Sequence, residues 1–122
     1  MNNATVTFED NYVQIKSSAS DVLTSSCIHS NLSVAMSLCV DYACRRILAL
    51  AEQPSGSGLN CESIAEAMNR LVILRGVKLA CCYFDGVKDN LRAYTAQVAA
   101  THGMTVQFFS DREEALEWLG AK

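Results

Sequence analysis

Between Lys78 and Lys122 the chain runs through an apolar stretch (KLACCYF), a helical span, a second apolar stretch (TVQFF) and a closing amphipathic segment (SDREEALEWLGAK). Two short apolar runs separated by a helix's length of chain make a parallel β-α-β unit. Strands in such a unit are covered on both faces and so lose the polar alternation of a half-exposed strand. This pattern fixes the class as α/β and carries no catalytic motif.

The rest of the chain extends the same architecture. Thr5 to Glu9 alternates with Val6 and Phe8 on one face, and Tyr12 to Lys16 with Val13 and Ile15; Asp10-Asn11 between them is turn chemistry, so an N-terminal β-hairpin is expected. Serines and threonines dominate from Ser17 to Ser26, which marks a loop or a poorly formed helix start, with Asp21 able to cap a short turn before Val22 and Leu23. Ile28, Leu32, Ala35, Met36, Cys39, Tyr42 and Ala43 then recur at helical spacing, predicting a long helix whose last turn carries Arg45 and Arg46 at the negative end of its dipole. Those arginines read as helix-end charges rather than as a binding patch. Ile47 to Ala51 reads as a buried strand, and Pro54 to Gly58 (PSGSG) as a connecting loop. Asn60 can cap a second helix with the stripe Ile64, Ala67, Met68, Leu71 and Val72, stopped at Gly76.

Lys78 to Phe84 is the next strand. Asp85 can cap a helix in which Val87, Leu91, Tyr94 and Val98 face inward until Gly103 ends it. Thr105 to Phe109 is the last strand. Ser110 and Glu113 have capping-box spacing, and Ala115, Leu116, Trp118 and Leu119 are expected to face the core, with Trp118 buried. The expected order is β-β-α-β-α-β-α-β-α in a single domain spanning residues 1–122, a length sufficient for its own core.

Composition excludes several function classes. Half of the residues are hydrophobic, 19% are charged and the formal net charge is −3, which argues against disorder and against a nucleic-acid surface. No apolar run is long enough for a membrane span and no secretory pattern opens the chain, so a cytoplasmic location is expected. Cys27, Cys39, Cys44, Cys61, Cys81 and Cys82 include no C-x-x-C pair and no histidine at ligand spacing. They are expected to be reduced, buried small hydrophobes, with Cys81 and Cys82 pointing to opposite faces of one strand. Cys61, just past a helix cap, has the best placement for a lowered thiol pKa. No metal and no cofactor is implied.

Ligands of open α/β sheets collect outside the carboxyl ends of the strands, here Glu52, Gln53, the 54–58 loop, Phe84, Asp85, Gly86 and Ser110. The loop glycines match neither a P-loop nor a dinucleotide fingerprint, and helix capping accounts for Asp85. His29 and His102 lie far apart with no nucleophile beside either; His102 reads as a surface residue at a helix end. The aromatic residues Tyr83, Phe84, Phe108 and Phe109 read first as core packing and second as the lining of an apolar cavity.

The order of elements, with Val13 to Lys16, Arg46 to Ala51, Lys78 to Phe84 and above all Val106 to Leu119 (VQFFSDREEALEWL), resembles the STAS domain family of anti-sigma-factor antagonists and their small bacterial relatives. The resemblance spans nearly the whole chain and rests on strand, helix and turn patterns rather than on chemical groups. It implies a non-enzymatic regulatory protein-interaction module, switched by phosphorylation at the start of the helix after the central strand. The matching region here is Pro54 to Ser63, which makes Ser57, Gly58 and Ser63, with Asp85 at the same edge, the candidate switch and binding residues; the family's aspartate is missing from this stretch. The expected partner is a protein or a second copy of the chain as a homodimer. An alternative is a carrier of an apolar or lipid-like small molecule, since the CRAL-TRIO lipid-transfer fold is similar in outline. An enzyme using Asp85 and Ser57 ranks third, because two isolated histidines give no nucleophile-base pair.

Overall fold

The computed structural model describes residues 5–17, 25–51, 66–69, 75–82 and 89–121. Strands β1 (Thr5–Phe8) and β2 (Val13–Ser17) form the hairpin, followed by helix α1 (Ser25–Asp41) and strand β3 (Arg46–Ala51). Residues 66–69 are helical and are called α2. Strand β4 (Lys78–Cys82), helix α3 (Asp89–Thr101), strand β5 (Thr105–Phe109) and helix α4 (Arg112–Leu119) complete the chain.

The five strands lie in sequence order, β1-β2-β3-β4-β5, with β1 antiparallel to β2 and the other three pairs parallel. This mixed α/β sheet is the architecture the alternating apolar runs predict. Each parallel step moves one place in the same direction. Successive crossovers of one hand therefore lay their helices on one face of the sheet. That face holds Val13, Ile15, Ile47, Ala49, Leu79, Cys81 and Val106 from the strands against Leu32, Ala35, Met36 and Cys39 of α1, Met68 of α2 and Ala99 of α3. Period 2 sends the alternate residues Leu48, Ala80 and Cys82 to the other face, where Tyr12 joins Ala115, Leu116 and Leu119 of α4. Cys81 and Cys82 thus enter opposite cores, as adjacent strand residues must.

Three helices close with one motif. The amide of Ala43 donates to the Val40 carbonyl and that of Cys44 to Cys39; Gly103 and Met104 repeat the pair on Ala100 and Ala99, and Gly120 and Ala121 on Glu117 and Leu116. These are Schellman turns, in which the residue just past the helix adopts a left-handed conformation. Gly103 (φ 80°) and Gly120 (φ 78°) do so without penalty, but the first turn places Ala43 at φ 52°. In each turn the two residues joined by the longer bond (Cys39 and Cys44, Ala99 and Met104, Leu116 and Ala121) are apolar pairs.

Three expectations are corrected here. α1 ends at Asp41 and has no basic residue in its last turn, so Arg45 and Arg46 lie beyond it, and Tyr42 and Ala43 leave the buried stripe and are exposed. The cause is the turn at Ala43, which breaks the helical period. The N-cap of α4 is Asp111, whose carboxylate accepts from the Glu113 amide at 3.2 Å, rather than Ser110 in a capping box. An acidic oxygen one residue nearer the helix competes successfully for the free amides. Trp118 is half-buried at the rim, tilted against Phe109 at 5.6 Å, because the sheet side of α4 is taken by Ala115, Leu116 and Leu119. In α3 Leu91, Tyr94 and Val98 pack against the core as their spacing predicts, around the more deeply buried Thr95 and Ala99; the Thr95 hydroxyl donates to the Leu91 carbonyl at 2.8 Å, which makes its burial tolerable.

Candidate functional site

Helices that connect parallel strands run antiparallel to them, so their carboxyl ends gather at the edge of the sheet where the strands begin. The described surface chemistry concentrates there. Arg46 and Lys78 are the first residues of β3 and β4 and pair directly in register. Like charges placed opposite each other on neighbouring strands repel, and this pair is held by the end of α4. Leu116 and Glu117 spend their carbonyls on the Schellman turn. The Trp118 carbonyl accepts from Lys78 Nζ at 3.3 Å and the Leu119 carbonyl from Arg46 Nε at 3.0 Å. All four terminal carbonyls of α4 are thereby satisfied, and two cations sit at the negative end of its dipole. Arg46 does serve as a helix-end charge, for a different helix from the one its sequence position suggests.

Arg45 Nη1 donates to the Arg75 carbonyl at 2.7 Å, and Arg46 Nη1 reaches the Asn11 carbonyl at 3.4 Å. Lys78 Nζ also lies 5.2 Å from the centre of the Trp118 ring. Ala43, Arg45, Arg46, Gly76, Lys78 and Leu119 enclose an open groove of about 370 Å³. Gly76 adopts φ 84° and leaves its side of the groove low.

One turn of chain away, the rings of Tyr42 and Phe8 stack face to face with centroids 4.0 Å apart and planes inclined by 2°. Phe8 is partly buried against the core. Tyr42, just past α1, is 55% exposed, and Val40 and Val34 of α1 are 62% and 46% exposed. This aromatic step borders β1, whose recorded pairing is on one side, to β2.

The carboxyl edge carries little described chemistry. Ser57, Gly58, Ser63 and Asp85, with Glu52, Gln53, Phe84, Gly86 and Cys61, lie outside the described residues, and Ser110 is exposed at the end of β5. Arg112, at the start of α4, donates to the Tyr12 hydroxyl at 2.6 Å. Sequence reasoning missed Tyr12 as a core anchor because its alternation assigned only Val13 and Ile15 inward. His102 Nε2 lies 3.2 Å from Asn69 Oδ1, a link between α3 and α2.

Four thiols are held in unreactive settings. Cys39, Cys44, Cys81 and Cys82 are free and buried. Burial, then the neighbouring Cys44 thiol, pushes Cys39 up to about 11; burial and then Cys82 pushes Cys81 to about 12, and burial pushes Cys82 to about 11 against the pull of Arg112. The Cys44 sulfur accepts from the Arg46 amide at 3.4 Å and lies 3.5 Å from the Asn11 carbonyl. Among the described residues no three histidine, cysteine, aspartate or glutamate side chains converge as a metal set, and no helix is long and apolar enough to cross a membrane. Compared with known proteins, the chain matches no family model, no curated sequence and no solved structure.

Proposed function

We propose that this chain is a regulatory protein-interaction module of the STAS-like kind, pairing with a second copy of itself through the surface formed by β1, Phe8 and Tyr42. The observation that carries the reading is the exposed Tyr42 ring lying flat on Phe8 beside β1, which among the described residues pairs on one side alone, with β2. An edge strand offers a row of free amides and carbonyls that an antiparallel copy can complete about a two-fold axis. Tyrosine supplies a rigid amphipathic anchor for such a contact at small entropic cost. The regulatory half of the proposal rests on the resemblance, which implies a phosphorylation switch at Ser57 or Ser63, beside Gly58.

Sedimentation velocity over a concentration series tests the pairing. The parent protein is expected to be a reversible dimer, and Tyr42→Ser to weaken it at least tenfold while leaving the melting temperature nearly unchanged, since the ring is more than half exposed. A parent that is monomeric at every concentration, or a dimer indifferent to Tyr42→Ser, overturns the reading.

A further inference from the structure

We infer that the groove at the amino edge is a binding site for a phosphate group, either free phosphate or the phosphate of a small monoester. The site is distinct from the proposed pairing surface and does not depend on it. Three cationic heads, Arg45, Arg46 and Lys78, line one concave surface in a protein whose formal net charge is −3. Each head is anchored by a backbone carbonyl: Arg45 by Arg75, Arg46 by Leu119 and Lys78 by Trp118. Among the described residues no carboxylate lies at ion-pair distance from any of the three.

The competing explanation is that the cations exist only to neutralise helix ends, and magnitudes decide against it as the whole account. A helix terminus carries about half an elementary charge. The ends of α4 and α1, the latter reaching the groove through Ala43, together offset about one positive charge of three. About two remain, in a concavity where low-dielectric walls focus the field. The Arg46–Lys78 pairing in register adds a repulsion that an anion between the heads would relieve.

The remaining geometry favours a tetrahedral oxyanion over a simple halide. Arg45 spends one N–H on a carbonyl and Arg46 two, those of Leu119 and Asn11, so Arg45 keeps a free fork for phosphate oxygens, Arg46 keeps single N–H donors, and the lysine supplies a compact point charge. Gly76 lets the ligand approach the backbone. A volume of about 370 Å³ exceeds what one phosphate fills and leaves room for a short organic substituent.

The test is titration of the uniformly 15N-labelled full chain with inorganic phosphate and, separately, glycerol 3-phosphate, each against chloride at matched ionic strength, followed by amide shifts. The expected result is saturable shifts confined to residues 43–46, 75–78 and 119–121, with a dissociation constant in the millimolar range or tighter. Arg45→Gln should weaken it at least fivefold and Arg45→Lys should restore part of the loss. Binding of both probes with the monoester tighter identifies the monoester as the source; preference for inorganic phosphate identifies free phosphate. Shifts that chloride reproduces, that spread over the surface without saturating, or that Arg45→Gln leaves unchanged overturn the inference. Because mapping on the parent protein already locates the site, the test does not depend on how well Arg45→Gln folds.

Discussion

Arg46 closes the carboxyl end of a helix that finishes 73 residues later: its Nε donates to the Leu119 carbonyl at 3.0 Å. The bond ties the first residue of β3 to the last turn of α4 and is charge-assisted, in a half-buried setting. A hydrogen bond to a charged group contributes about 1.5–3 kcal/mol when well shielded, and partial exposure places this one near the lower bound. Arg46→Ala is therefore expected to destabilise the domain by about 1–2 kcal/mol. Hydrogen exchange should show the lost protection concentrated in α4. Uniform loss over all helices would mean that Arg46 acts through β3 and not through the cap.

The turn after α1 stores strain that can be relieved. A left-handed conformation costs a residue with a Cβ about 1–2 kcal/mol, and a glycine in its place gives back about 0.4–1 kcal/mol through the entropy of the unfolded chain. Ala43→Gly, at φ 52°, should accordingly raise unfolding stability by about 0.5–1 kcal/mol. Denaturant melts of the two proteins decide it, and an unchanged or lowered midpoint would contradict the assigned turn.

What the sequence made legible follows from periodicity. Alternation put Val6, Phe8, Val13 and Ile15 on one face, and the observed register, Val6 opposite Ile15 and Phe8 opposite Val13, keeps them there. Gly103 announced its own turn because glycine is the residue that pays least for positive φ. Ala43 gives no such sign, so the helical spacing continues in the sequence through Tyr42 into residues that are exposed in the structure. The groove was illegible for a different reason. Arg46 and Lys78 lie far apart in the sequence, and only strand pairing makes them neighbours; their anchors on Leu119 and Trp118 depend on α4 crossing the opposite face of the sheet. The serine and glycine residues of the expected switch lie outside the described residues, so the resemblance alone speaks for them.

The two large side chains at the end of α4 should separate by burial. Leu116 is buried against Leu48, Ala80 and Cys82, while Trp118 sits at the rim with one face under Lys78. Leu116→Ala should cost about 2–4 kcal/mol, the range of a filled core position that can partly collapse. Trp118→Ala should cost less, about 1–2 kcal/mol, because part of its ring stays in water in the folded state. Thermal or urea unfolding of both variants gives the order. A larger loss for Trp118→Ala would place the indole, and not Leu116, at the centre of the second core.

Alkaline pH should weaken the fold through the buried thiols. Cys39, Cys81 and Cys82 have folded values raised to about 11, 12 and 11 from the 9.0 of an unhindered thiol. A raised value means the folded state keeps protons that the unfolded chain releases. The linkage slope is then negative: these groups take nothing from stability below about pH 9, and stability falls as pH rises from there toward the folded values. Each thiol contributes up to about 1.4 kcal/mol per pH unit in that window. The informative measurement is a comparison. Urea unfolding from pH 7 to 10.5 should give a shallower alkaline decline for Cys81→Ala than for the parent, even though the variant begins less stable at pH 7. Parallel curves would mean that the Cys81 thiolate is accommodated in the folded core, and its burial between β4 and the helices would have to be reassigned.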